Sequence, residues 1–557
     1  MKEQDADQRG GVLHRFLSLF TDIEPREVFT VLLLTLNVFL LLTAYYFLKV
    51  VREPLILAGG GIEFGGKRLE IDGPEVKAYA AAGQALLMIG IVRAYGAMSK
   101  RFGRMQLSAA LALFFGSNLV VFFVLARLDV PLGIPFYLWV GCFSLTVIAQ
   151  FWSFANDVYT PAQGKRLFAV VGVGSSMGAM FGAQIAKRIY VPFGPYNMML
   201  AAAGVLMICL WITYVVHRWE LTHQDGPVDK PDAPPGGSKG GFAMVLSDRY
   251  LLLIAALTLV LNQVNSTGEY ILDRTLVESA TRTLAPLAPR EAPVPEAGVE
   301  AEAGAGTGAG TGIKAEAGAG EEDAFAPGAL VYVVDLEASR ILDGKVTAVK
   351  PDGDVDVEAG GQVVTVAPKK KAFPRTEKGK KDALGAVIGT FKGDYFYWVN
   401  TIGVVLQLFV VSRIFKYFGV RVALFILPCI ALFGYSALAF APILGIVRIA
   451  KISENSTDYS IQNTAKQALF LPVSREAKYN AKAAIDTFVV RAGDVLSAIL
   501  VVVGQVLALA TRSFAVVNLV LVIVWLLIVA GIAREHRKRT ADDERPGQPD
   551  QPAVKAA

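Results

Sequence analysis

The sequence predicts an all-α polytopic membrane protein: twelve transmembrane helices in two six-helix bundles, with a small β-rich inserted module. Three observations carry that reading. The 557-residue chain is 54% hydrophobic but only 18% charged, where soluble domains run nearer a quarter charged. Apolar runs of about 20 residues recur, the length that crosses the hydrocarbon core. A polar stretch near the middle leaves six such runs on either side, and a longer hydrophilic insertion follows the seventh.

Residues 1–27 form a cytoplasmic N-terminal segment that is polar or mixed, with no cleavable signal, because the first apolar run is already long enough to span. That run begins near Val28. The next five lie near 76–98, 106–125, 132–154, 167–186 and 198–216, so 28–216 is the N-terminal bundle. Residues 217–249 are a Pro-, Gly- and Asp-rich cytoplasmic linker, and 250–274 the first helix of the C-terminal bundle. The insertion, 275–393, opens with an Ala/Gly tract (AEAGAGTGAGTGIKAEAGAG) that cannot build a core. It then alternates as strands do from 329 to 368, with Asp343-Gly344 and Asp352-Gly353 as expected hairpin turns. Residues 394–533 complete the bundle, with spans starting near Tyr395, Val422, Ile443 and Lys482 and the last ending near Ala533, and 534–557 are a cytoplasmic tail.

Lysine and arginine set the orientation. SKRFGR (99–104), QGKR (163–166), SRIFKYFGVR (412–421), SREAKYNAK (474–482) and REHRKR (534–539) fall on one side, with Lys187-Arg188 an exception opposite. Both termini are then cytoplasmic and the insertion is not; a bacterial inner membrane is the expected location. KRFGR after the second span and KYFGVR after the eighth resemble the loop between the second and third helices of the major facilitator superfamily, where the glycine permits a tight turn.

Cys142, Cys209 and Cys429 sit in apolar runs and the four histidines are scattered, so neither a disulfide framework nor a metal site is expected. No nucleophile–base pair or phosphate loop appears, which argues against an enzyme and against a bound cofactor. No nucleic-acid partner is expected, and a monomer is. Gly174, Gly178 and Gly182 follow the small-xxx-small spacing of close helix packing.

Function points to the ionisable groups inside the spans, which are costly there and usually face a bundle interior. On a helical wheel Arg448, Lys451, Asn455, Asp458, Tyr459, Gln462 and Lys466 share one sector about 100° wide. Lys482 and Asp486 follow, four apart, at the head of the next span, where a local ion pair is the plainer alternative; Arg491 and Asp494 invite the same reading. In the seventh span Asn262, Asn265, Ser266, Glu269 and Asp273 share a sector; a structural polar seam is the alternative, and Glu269 is the favoured binding residue, able to pair with a cavity cation. In the first, Asn37, Tyr45 and Arg52 align with Lys49 beside them; equally, Lys49 and Arg52 snorkel to the outer interface, paired with Glu53.

FWSFANDVYTPAQGKRLF (151–168), DYSIQNTAKQALFLPVSREAKYNAKAAIDTFVVRAGD (458–494) and YYFLKVVREPLIL (45–57) resemble segments of the ATP/ADP translocase family, the nucleotide transporters of plastids and intracellular bacteria. The resemblance implies roles in nucleotide transport for Lys482, for Arg52 at the position of a family lysine, and for Glu269 at a seventh-helix glutamate. It departs where Val140 replaces a family glutamate, Asn463-Thr464 an Asp-Pro and Lys466-Gln467 a Lys-Glu, which implies a more positive cavity.

The expected function is therefore a membrane transporter of ATP, ADP or another anionic metabolite by alternating access. Arg52, Arg448, Lys451 and Lys482 would neutralise phosphates. Asn262, Asn455 and Gln462 would bond sugar or base, and Tyr45 and Tyr459 would stack. Two alternatives stand beside it: an ion-coupled carrier titrating Glu269, Asp458 and Asp486, and a non-transporting receptor or scaffold working through the β module.

Overall fold

The computed structural model describes residues 23–24, 27–59, 62–64, 67–69, 71–159, 161–223, 241–284, 323–473, 481–482 and 484–543. Expectations for most of the N-terminal segment, the core of the linker, the Ala/Gly tract, the 474–480 loop and the end of the tail lie outside them. The chain divides into two compact units, Met1–Glu278 with Ile388–Ala557, and Ser279–Val387.

In the first unit, α1 (Val28–Leu57) carries no charge before Lys49, so the backbone satisfies itself as helix through an apolar run. Then come a two-stranded ribbon, β1 (Ile62–Phe64) and β2 (Lys67–Leu69), and α2 (Gly73–Arg101), α3 (Arg104–Arg127), α4 (Gly133–Val158), α5 (Pro161–Phe193) and α6 (Pro195–His223). A short α7 (Gly241–Ser247) leads into α8 (Arg249–Thr281).

α1 is the central element of its set and packs on α4, α5 and α6. Its seam with α5 is the small-residue stripe. A Cβ added at Gly174 or Gly178 would lie 2.5 or 2.3 Å from the carbonyl oxygens of Thr35 and Phe39, and one at Gly182 would lie 2.8 Å from Thr43 Cα. The two backbones touch, as the spacing predicts.

α9 (Glu377–Val405) starts well before Tyr395, so Lys392 and Asp394 are helical residues rather than the end of a loop. A π turn (Leu406–Val410) joins it to α10 (Val411–Phe440), which breaks at Gly419, φ 73°. Gly419 is the glycine of KYFGVR, and its left-handed backbone is the predicted tight turn. Its counterpart Gly103 instead caps α3 with φ −63°, receiving the Gln106 side chain on its N–H. α11 (Leu444–Thr457), a π turn (Asp458–Gln462) and α12 (Asn463–Ala468) follow as one helical run. A third π turn (Ile485–Val489) opens α13 (Val490–Val506), and α14 (Thr511–Asp543) ends the described chain.

Ten helical runs among the described residues are long and apolar enough to cross a membrane; one of them, Glu377–Phe440, is 64 residues long and holds both α9 and α10. The run from α11 to α12 is too charged to be counted with them. The protein is a mostly helical, integral multi-pass membrane protein.

The second unit is built on a five-stranded antiparallel sheet in the order β6-β5-β4-β3-β7: β3 (Leu330–Asp335), β4 (Arg340–Val349), β5 (Val355–Ala359), β6 (Gln362–Val366) and β7 (Ala372–Pro374). Val331, Val333, Val346, Val355 and Val357 fill its core. Asp352-Gly353 is a turn, with Gly353 at φ 86°. Asp343-Gly344 is not. Both residues lie inside β4, Gly344 opposite Val331 and Ala359. A Cβ there would meet Val357 Cγ1 at 2.5 Å, so this glycine serves sheet packing rather than a turn. The chain reverses between β3 and β4 at Ser339, φ 53°.

Candidate functional site

A cavity of about 210 Å³ lies where α1, α2, α8 and α13 meet, with α4, α9 and the α11 run at its margin. Its wall holds four cations, Lys49, Arg52, Lys77 and Arg491, and four acids, Glu53, Glu269, Asp273 and Asp494. The wall holds as many acids as cations, which corrects the expectation of a more positive cavity.

Most of these charges are spoken for. Arg52 Nη2 lies 2.8 Å from Glu53 Oε1, and Arg491 3.1 Å from Asp494. Lys77 reaches both Glu53 (2.5 Å) and Asp273 (2.6 Å). Lys392, fully buried, contacts Asp273 at 2.5 Å, Glu269 at 3.6 Å and Glu53 at 3.8 Å. Tyr395 Oη and Asn455 Nδ2 both donate to Glu269 Oε1 at 2.8 Å. Burying an ion takes several kcal/mol unless opposite charges and hydrogen bonds offset it, and these ion pairs supply opposite charge at close range.

Lys49 is different. Among the described residues no carboxylate lies within ion-pairing distance of its ammonium. It is held instead by ring faces, 4.3 Å from the Phe396 centroid, 5.2 Å from Tyr46 and 6.0 Å from Tyr45. Aromatic faces attract a cation without cancelling its charge. Lys49 therefore neither snorkels nor pairs with Glu53, whereas Arg52 does pair with it.

A second cavity, about 450 Å³, is lined by Thr258, Asn262, Asp458, Tyr459, Gln462 and Lys466, among others; Tyr459 belongs to both walls. The π turn at 458–462 accounts for this. It shifts the helical register, so the single sector read from an ideal wheel is divided between two places. Such bulges are frequent at functional sites.

The predicted site residues are thus partly gathered. Arg52, Glu269 and Asn455 line the first cavity, and Asn262, Asp458 and Gln462 the second. Tyr45 supports Lys49 and stacks near Phe143. Arg448, Lys451 and Lys482 do not join Arg52 in one chamber, because carboxylates nearer to hand hold each of them. Arg448 pairs with Asp394, which also takes Lys187. Lys451, 0% exposed, lies 3.1 Å from Glu454 and donates to Asn265 Oδ1 at 2.8 Å. Lys482 lies 3.0 Å from Asp486, which Lys466 approaches to 2.8 Å, the plain ion pair the spacing allowed. Lys77, Lys392 and Glu454 escaped the sequence reading. Lys77 and Lys392 fall near the ends of apolar runs, where a cation normally reaches water; Glu454 sat within the charged stretch and off the wheel sector.

Polar contacts that join α1–α6 to α8–α14 cluster at one end of the helices. They include Lys77–Asp273, Lys392–Glu53, Lys187–Asp394 and Tyr270 Oη donating to Glu75 at 2.7 Å. Tyr79 and Gln505 add a further hydrogen bond.

A family model described as "TLC ATP/ADP transporter" matches residues 389–536. ADP,ATP carrier protein 1 of Chlamydia pneumoniae is 25% identical over 164 residues, 25% of this chain and 31% of that protein. ADP,ATP carrier protein 2 of the same organism is 30% identical over 133 residues, 22% of this chain and 24% of that protein. The matches thus span under a third of these curated relatives. The segments at 45–57 and 151–168, which share the resemblance, fall outside residues 389–536. Among solved structures, the nucleoside transporter NupG aligns over 90% of this chain and 99% of its own at TM-score 0.52 and 10% identity. A POT peptide transporter in complex with sulfate aligns over 90% and 95% at TM-score 0.51 and 11% identity. These likenesses concern the fold alone. Residues 389–536 are therefore similar to the TLC ATP/ADP transporter family, and the fold as a whole is like that of these solved transporters.

Proposed function

We propose that the protein carries nucleotides of the ATP/ADP type across a membrane by alternating access. The observation that supports this most directly is Lys49, a buried-site cation left for an anionic guest while its neighbours are neutralised. Arg52 and Arg491, each held by one carboxylate, are the groups a phosphate would recruit next, since a guanidinium donates two parallel N–H bonds to a pair of oxygens. Asn455 and Glu269 stand opposite them. Arg448, Lys451, Lys482 and Asp486 act in this reading through the ion pairs that brace the wall.

The architecture is read as twelve spans in two bundles. Separating α9 from α10 at the π turn and Gly419, and adding the charged α11–α12 run, brings the ten apolar runs to twelve. With basic loops cytoplasmic, the end that carries the Lys77, Lys392 and Lys187 contacts is the outer one. The two bundles are joined there, which corresponds to a state open toward the cytoplasm.

The test is exchange in vesicles reconstituted with purified protein. Labelled ATP and ADP should enter ADP-loaded vesicles saturably, and Lys49→Met should abolish it. Absence of saturable binding and exchange for every nucleotide tried would overturn the reading.

A further inference from the structure

We infer that the 450 Å³ cavity is a nucleobase subsite and that Gln462 reads an edge presenting a donor beside an acceptor, as adenine does. The inference rests on the nucleotide reading above and adds the part of the guest that the charged cavity does not explain.

Gln462 is 1% exposed, lines this cavity, and among the described residues has no hydrogen-bond partner for either Oε1 or Nε2. A buried carboxamide with both atoms unmet is costly, and native structures rarely leave one without a reason. It sits on the last residue of a π turn, where the widened helix withholds its usual neighbours.

The charges of the two cavities place the guest. Phosphates belong with Lys49, Arg52 and Arg491. The second cavity repels them: Asp458 lines it with no cation within ion-pairing distance among the described residues, and Lys466 is held by Asp486. A neutral ring suits this cavity better than a phosphate. Tyr459, whose side chain borders both walls, is placed where base and phosphates would connect. A carboxamide offers one acceptor and one donor side by side, the complement of adenine N6–H with a ring nitrogen. Guanine also presents an acceptor beside a donor, O6 with N1–H, so the carboxamide by itself serves either purine.

Competition binding to the full-length purified protein tests this, using ATP, GTP and inorganic triphosphate. The wild type should bind ATP and GTP alike, and each about ten-fold or more tighter than triphosphate, the contribution of one bidentate pair. Gln462→Leu should weaken both by about ten-fold while triphosphate binds unchanged, since the phosphate groups are untouched. Gln462→Glu, which only accepts, should move the preference toward GTP, a shift that a merely structural role would not produce. Gln462→Leu that keeps the wild-type affinity for both, or Gln462→Glu that keeps the wild-type ratio, overturns the subsite while leaving nucleotide transport standing. If Gln462→Leu does not fold, Gln462→Glu decides, with N6,N6-dimethyl-ATP on the wild type: equal binding of that analogue and ATP overturns the inference. Wild type that binds no nucleotide removes the transport reading itself.

Discussion

Lys77 of the second helix lies 2.6 Å from Asp273 of the eighth, 196 positions away in sequence. The pair joins the two sets of helices beside the central cavity, with Asp273 1% exposed and further bound by Lys392. Removing one partner of a buried pair costs about 3–5 kcal/mol, and in the proposed reading this pair is made only where the outer end is closed. Lys77→Met should therefore bias the carrier toward the outward-open form. A cysteine introduced by Ala81→Cys, on the cavity wall, should react with an impermeant maleimide added outside at least about ten-fold faster. An unchanged labelling rate would argue that this end is not the outer gate.

Lys49 and Lys482 invite a direct comparison. Lys49→Met removes the cation that has no carboxylate partner, so nucleotide affinity should fall by about ten-fold or more with thermal stability nearly kept. Lys482→Ala leaves Asp486 still paired with Lys466 at 2.8 Å, so its effect on affinity should stay below about three-fold. Equilibrium binding and melting curves on both variants decide the order.

The balanced cavity bears on coupling. Several unpaired cations would make an empty carrier costly to occlude and exchange obligatory, but here Glu53, Glu269, Asp273 and Asp494 neutralise most of the wall. Loaded vesicles facing nucleotide-free buffer should lose label at more than about a tenth of the exchange rate. Strict dependence on external nucleotide would refute this.

The α1–α5 seam is tested by two glycines six residues apart. A Cβ at Gly178 would stand 2.3 Å from the Phe39 carbonyl oxygen, whereas one at Gly172 has nothing within 4 Å. Gly178→Ala should destabilise by about 1–3 kcal/mol, the usual cost of overpacking. Gly172→Ala should be close to neutral. Fluorescence-detected melting in detergent measures both.

In the β module, burial alone would raise the Asp335 carboxyl. The Ala338 N–H at 3.0 Å and Arg340 Nε at 3.1 Å outweigh it and hold the group below its usual value. Stability from this turn is therefore present above the unfolded value of about 3.9 and lost as pH falls through the lower folded one. The difference in amide protection between wild type and Asp335→Asn should be clear at pH 6 and shrink away as pH falls below the ordinary aspartate range and through the lowered folded value. A difference that persists in acid would mean the carboxylate charge is not what holds the turn.

Much of the architecture was legible because lipid leaves few choices. An apolar run without backbone partners must be helix, so spans, the small-residue seam and the basic loops could be read locally. The alternation of 329–368 announced strands, yet Asp343-Gly344 misled. An Asp-Gly pair signals a turn only when the chain reverses there, and the reversal falls at Ser339 because β3 and β4 pair beyond the glycine. Within the candidate site the polar helices were found, but not the division of labour among their charges. Residue types and spacing determined that cations and amides would lie inside the membrane portion. Only the tertiary structure decided which of them remain available, because each carboxylate that neutralises one arrives from its own helix, as Asp394 does for Arg448 and Asp273 for Lys77. A π turn also rotates half of one wheel sector into a different cavity. Coulomb pairing depends on distance in space, and sequence separation carries almost no information about it.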